Sequence, residues 1–157
     1  MVKNNFVHRL TKVLIDIMFH GGILCCIAIP FIVPKLANFL NVTTYFGRRS
    51  EGTTVPFTII LLLSGLCAVY ILWQLKAMFK TLLGGNPFTI KNVSCFRKCA
   101  VAGFLIAIIY TVKIAFWFTI ASMIIVVIFA LLGLFCLTLK DIFKQAVVYK
   151  EETDLTV

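Results

Sequence analysis

Asp16 is the only acidic residue inside an apolar run of this 157-residue chain. Lys12 and His20 stand four residues before and after it, so one helix face would carry all three. A carboxylate in hydrocarbon costs several kcal/mol unless it is paired or near water. Two readings of this triplet compete. The first is a proton- or cation-responsive site facing a bundle interior. The second has Asp16 about one turn from the membrane edge, neutralised by a snorkelling Lys12. The second is favoured, because a pathway needs polar partners on other helices, and the other apolar runs offer only Ser64, Thr111 and Ser122.

The six cysteines suggest little chemistry. Cys25, Cys26, Cys67 and Cys136 lie in apolar runs, where a thiol acts as a small hydrophobe. Cys95 and Cys99 are one helical turn apart beside a basic stretch, but no His or acidic partner completes a metal set. No nucleophile–base pair, metal constellation or phosphate loop is visible, so neither an enzyme nor a cofactor is expected.

The elements that must position these residues follow from composition. Hydrophobic residues make up 61% of the chain and charged residues 13%, about half the charged share of a soluble domain. The charge of +9 sits at the ends of apolar runs, which argues for bilayer orientation rather than direct nucleic-acid binding. Apolar segments predict spans over about 13–33, 55–79, 98–116 and 120–140. The last two come from one 41-residue apolar stretch, 99–139, broken only by Lys113. A single helix of that length would be about 60 Å, twice the hydrocarbon thickness, so it must fold back. The turn is expected near Lys113 to Thr119, with Trp117 at headgroup level. The basic start of the chain resembles a signal peptide, but the apolar run is too long and lacks a small-x-small cleavage site.

The fold class expected is therefore all-α: an integral membrane four-helix bundle, two helical hairpins joined by a basic loop. Eleven basic residues fall on the side of the termini and middle loop and four on the other, which places both termini and that loop in the cytoplasm. The tail, 141–157, continues as an amphipathic cytoplasmic segment, because Ile142, Phe143, Ala146 and Val147 recur at helical spacing. It is expected to fray near Glu151.

Small residues four apart (Gly22 with Cys26, Ser64 with Ala68, Gly103 with Ala107) suit close helix approach. Packing within the bundle is the favoured use, a homo-oligomer interface the other. The outer loop offers Tyr45, Arg48 and Arg49 as contacts for an anionic ligand or lipid headgroup, with an interfacial anchor favoured. Asn41-Val42-Thr43 fits a glycosylation sequon.

The middle loop is the most distinctive segment. Gly84-Gly85-Asn86-Pro87 is a strong turn signal, after which Thr89 or Asn92 would cap the third helix. Phe88 and Phe96 would rest on the bundle's inner face while Lys91, Arg97 and Lys98 meet headgroups. Pro87, Phe88, Asn92 and Arg97, with Phe143-Lys144 and the closing Glu152-Thr153-Asp154-Leu155-Thr156-Val157, resemble the motifs of a bacterial family of small four-span membrane proteins, domain of unknown function 2975 (DUF2975). Gln145-Ala146 stands where that pattern has a glycine. The resemblance implies an integral protein of the bacterial cell membrane, frequent gene neighbourhood with a small helix-turn-helix repressor, and no catalytic residues.

Charge suggests one mechanism: Glu151, Glu152 and Asp154 would fold back onto Arg97 and Lys98 as a cytoplasmic clasp, worth about 0–1 kcal/mol per exposed pair. A tail solvated by its own charges is the equal alternative. The expected function is a non-enzymatic signalling or regulatory partner that couples membrane lipid to a cytoplasmic protein. A small transporter or channel subunit, and an immunity protein against a membrane-active peptide, are the alternatives.

Overall fold

The computed structural model describes residues 5–39, 54–83 and 88–155. They form four helices: α1 (Asn5–Phe39), α2 (Thr54–Leu83), α3 (Ile90–Phe116) and α4 (Ile120–Leu155). All four are long and apolar enough to cross a membrane, as in a multi-pass membrane protein. Backbone groups in hydrocarbon must be satisfied within their own segment, and uninterrupted helices do so. Pro30 and Pro34 do not end α1 near Val33; the helix continues to Phe39 with both prolines inside it. Pro30 has apolar neighbours on both sides, in a medium where an open backbone is worse than a distorted helix.

Successive helices run antiparallel. The Asp16 carboxylate meets Lys76, whereas Gly22 approaches Val69 and Gly65 approaches Cys26. Thr81 meets Asn92, and Phe96 meets Phe143. The start of α1, the end of α2, the start of α3 and the end of α4 therefore share one end of the molecule, here the proximal end. The turn between α3 and α4, residues 117–119, lies at the distal end. There the Trp117 N–H closes α3 on the Lys113 carbonyl at 2.8 Å.

The expected bundle is open rather than closed. Among the described residues α1 packs only on α2, α2 on α1 and α3, and α3 on α2 and α4. Lipid tails are as apolar as leucine, so no hydrophobic force compels α1 and α4 to meet. Their outward faces stay uncovered by protein: Leu24 and Phe31 on α1 and Leu131 and Phe135 on α4 are well exposed. The tightest packing joins α3 to α4. Cys99, Ala100 and Cys136 form its buried centre, flanked by Phe104, Leu132 and Ile71 from α2.

Glycine sets that closeness. A Cβ on Gly103 would lie 3.3 Å from the Phe129 carbonyl oxygen and 3.5 Å from the Gly133 nitrogen, both backbone atoms that cannot swing away. A Cβ on Gly133 would press on the Phe104 ring at 2.9 Å. Gly22 and Gly65 do the same for α1 and α2, facing Val69 and the Cys26 sulfur at 3.2 and 3.0 Å. The small residues at 22 and 103 thus serve packing inside the molecule. Overpacking such a contact costs roughly 1–3 kcal/mol. Gly103→Val is expected to lower unfolding stability in detergent by about that amount, whereas Gly21→Val, with nothing within 4 Å, leaves the transition nearly unchanged. Thermal or SDS titration followed by circular dichroism measures both.

Candidate functional site

Four helices bring charged residues to one level near the proximal end. The antiparallel register sets Asp16 of α1 beside Lys76 of α2, and Phe96 of α3, next to Arg97, beside Phe143 of α4, three residues from Lys140. From this belt to the distal end of each helix the rise is about 28–35 Å at ~1.5 Å per residue, close to the thickness of a hydrocarbon layer. Helix ends beyond the belt extend out of that layer, which is why α3 begins at Ile90 rather than near 98.

The Asp16 carboxylate pairs with Lys76 at 2.7 Å, across the α1–α2 contact. The same ammonium lies 5.3 Å from the centre of the Phe19 ring, a cation–π contact. Lys12 is exposed one turn before Asp16, and the direct ion pair is made by a residue sixty positions later. Lys76 wins because it projects from the helix that α1 packs against, so pairing also ties two elements together. The third member of the triplet turns inward on its own backbone: the His20 Nδ1 donates to the Asp16 carbonyl at 2.7 Å, and the ring packs edge-on against Phe19. Lys12, Asp16 and His20 thus share a face, with Asp16 committed to Lys76 and His20 to its own backbone.

A second junction joins α2 to α3. Asn92, 3% exposed, accepts a hydrogen bond from the Thr81 hydroxyl at 2.6 Å. Asn92 therefore does not cap α3; its side chain is spent across the helix pair. Thr89 occupies the N-cap position with extended backbone, φ −132° and ψ 146°, yet its hydroxyl makes no capping bond. Its carbonyl receives the Asn92 and Val93 N–H groups instead, at 2.9 and 3.3 Å.

The third junction is aromatic. Phe143 of α4 sits between Phe88 and Phe96, with ring centres 5.6 and 4.9 Å away in tilted contacts. Two motif segments more than forty residues apart in sequence thus meet at one point. Beyond it α4 runs unbroken to Leu155, past the expected fraying near Glu151. Val147 is buried, while Ile142, Val148 and Tyr149 are exposed. The tail does not fold back. Glu152 stands nine residues past Phe143, about 14 Å further along the axis, so the clasp onto Arg97 and Lys98 is replaced by a projecting helix. Arg97, Lys98 and Glu152 are exposed. Pro87, Tyr45, Arg48 and Arg49 lie outside the described residues, as do the side chains of Glu151 and Asp154.

Two buried polar residues escape a reading of the sequence. Gln74 is 6% exposed, on the α2 face that also carries Ile71 and Thr81. Lys113 is 8% exposed and donates from Nζ to the Thr119 hydroxyl at 3.2 Å and to the Ser122 hydroxyl, stitching the distal turn. Its signal was present as the single charge in the long apolar stretch. Ser64 and Thr111 are satisfied locally, by the Leu61 and Ala107 carbonyls. Among the described residues no group of three His, Cys, Asp or Glu could hold a metal.

The Asp16–Lys76 pair generates a direct test. Asp16→Lys places like charges at the α1–α2 contact and is expected to lower the thermal midpoint in detergent. Adding Lys76→Asp restores the pair with reversed sign and recovers most of the loss. A double variant as unstable as the single one contradicts the pairing.

The chain resembles no curated protein and no solved structure. Residues 48–157 match a family model described as protein of unknown function (DUF2975). That stretch contains α2, α3 and α4, and with them the Thr81–Asn92 and Phe88–Phe143–Phe96 junctions; Asp16 lies before it. With well over half of its length matched, and four helices able to cross a membrane, this chain belongs to the DUF2975 family.

Proposed function

We propose that this protein is a non-enzymatic regulatory component of the bacterial cell membrane, which couples the bilayer to a cytoplasmic protein through the projecting end of α4. The observation that carries the reading is the continuity of α4. Its 36 residues make a rod about 54 Å long, of which only some 30 Å fits the hydrocarbon layer. The remainder stands clear of the bilayer on the side richer in Lys and Arg, which supports a cytoplasmic placement. Phe143, held between Phe88 and Phe96, fixes the rod where it leaves the membrane. A tilt of α4 within the bilayer is thereby passed to the exposed face around Val148, Tyr149 and Glu152. A helix-turn-helix regulator is the partner class we favour, on the family resemblance. The locally satisfied hydroxyls and the half-exposed Asp16 pair speak against a transport pathway, which needs polar groups converging from several helices.

Photocrosslinking in intact cells tests this. A photoreactive residue at position 149 is expected to capture one cytoplasmic protein, and one at the lipid-facing position 124 is not. Phe143→Ala is expected to reduce the capture several-fold and to speed amide hydrogen exchange over 141–155, leaving 122–135 protected. Ion or proton flux in liposomes, abolished by Asp16→Asn, would overturn the proposal.

A further inference from the structure

Between α2 and α3, just inside the belt, lies a cleft of about 410 Å³, within the roughly 300–1,000 Å³ typical of small-ligand sites. Arg97 and Lys98 form one end of it. Val101 and Leu105 follow Arg97 at four-residue spacing on α3, and Leu66 and Tyr70 face them from α2. The cleft therefore has a cationic mouth at the membrane boundary. An apolar trough about 12 Å long runs from there toward the bilayer centre. Ala102, small and itself buried, lines its floor and leaves room above it.

No ion pair found among the described residues uses the two charges at the mouth. The acids Asp16 and Asp141 pair with Lys76 and Lys140 instead. Two adjacent cations at the edge of a low-dielectric medium call for an anion there. The planar guanidinium suits a phosphate, which it can hold by two parallel hydrogen bonds. An anion presented to this mouth together with a hydrocarbon chain fills both parts of the cleft. We propose that the cleft is a binding site for an anionic phospholipid of the leaflet at the belt, with its phosphate on Arg97 and Lys98. One acyl chain lies along Val101 and Leu105 against Leu66 and Tyr70. A zwitterionic lipid brings a cation of its own to the same mouth and binds less well. The site is independent of any partner at α4, yet it touches the helix that clamps that rod.

Native mass spectrometry of the full chain released from detergent, with added phosphatidylglycerol or phosphatidylcholine, tests the site. The wild type is expected to retain phosphatidylglycerol several-fold better than phosphatidylcholine. Arg97→Gln with Lys98→Gln is expected to cut that retention at least about tenfold, as two lost headgroup contacts require. Lys144→Gln with Lys150→Gln, which removes the same net charge elsewhere, leaves it unchanged. Leu105→Trp, which fills the trough and keeps both cations, is expected to weaken retention while the helical circular dichroism spectrum persists. Equal retention of the two lipids, equal losses in both double variants, or displacement by an equal concentration of soluble glycerol phosphate would each overturn the proposal.

Discussion

A layer of hydrocarbon about 30 Å thick dictates the arrangement of this protein. It admits no unsatisfied backbone, so the chain crosses it only as helices. It repels charge, so Asp16, Lys76, Arg97 and Lys140 gather at one level and Lys113 is stitched to hydroxyls at the other end. It also removes the usual reason for helices to cluster. What holds the four together is then close glycine-mediated packing and a few polar or aromatic junctions. The three junctions at the proximal end are of different kinds: an ion pair for α1–α2, a buried hydrogen bond for α2–α3, and tilted phenyl rings for α3–α4.

This distribution of contacts separates the molecule into parts with different freedom. The α3–α4 hairpin is the most enclosed and the most dependent on backbone approach at Gly103 and Gly133. α1 stands at the open edge, held to α2 by Gly22, Gly65 and the half-exposed Asp16–Lys76 pair. Among its described residues the end of α4 is held at Phe143 and the buried Val147, while Val148, Tyr149 and Glu152 stay exposed. An element held only near its base moves more easily than the hairpin beneath it, which suits the part through which we propose contact with a partner.

The spans were legible in the sequence because a domain folded in water has little use for apolar runs of membrane length, and Lys113 broke the longest run near the turn. Which helices touch was not legible. A core face and a lipid face are equally apolar, so the helical period that betrays a core in water is silent here. The openness of the bundle and the burial of Gln74 were hidden for that reason. Asp16 was conspicuous as a lone acid, but its nearest cation in sequence, Lys12, hid the one across the helix pair. Phe88 and Phe96 were expected on an inner face; both rings meet Phe143, yet Phe88 stays 43% exposed, and that Phe143 would come between them depends on a register no local spacing encodes. The charges of the tail suggested a fold-back, whereas continuous helical geometry carries them away from Arg97.

The sharpest test of a membrane-spanning rod with a projecting end is a spin-label depth scan along α4, from position 120 to 150. It is made in a cysteine-free background that keeps the wild-type circular dichroism spectrum. Collisions with oxygen should peak near 128–132 and fall toward both 120 and 140. Over 141–150 the label should then sense water with a helical period, sheltered at 143 and 147 and open at 142, 148 and 149. A segment 141–150 that is buried in lipid, or that shows no helical period, would contradict the projecting rod and the arrangement built on it.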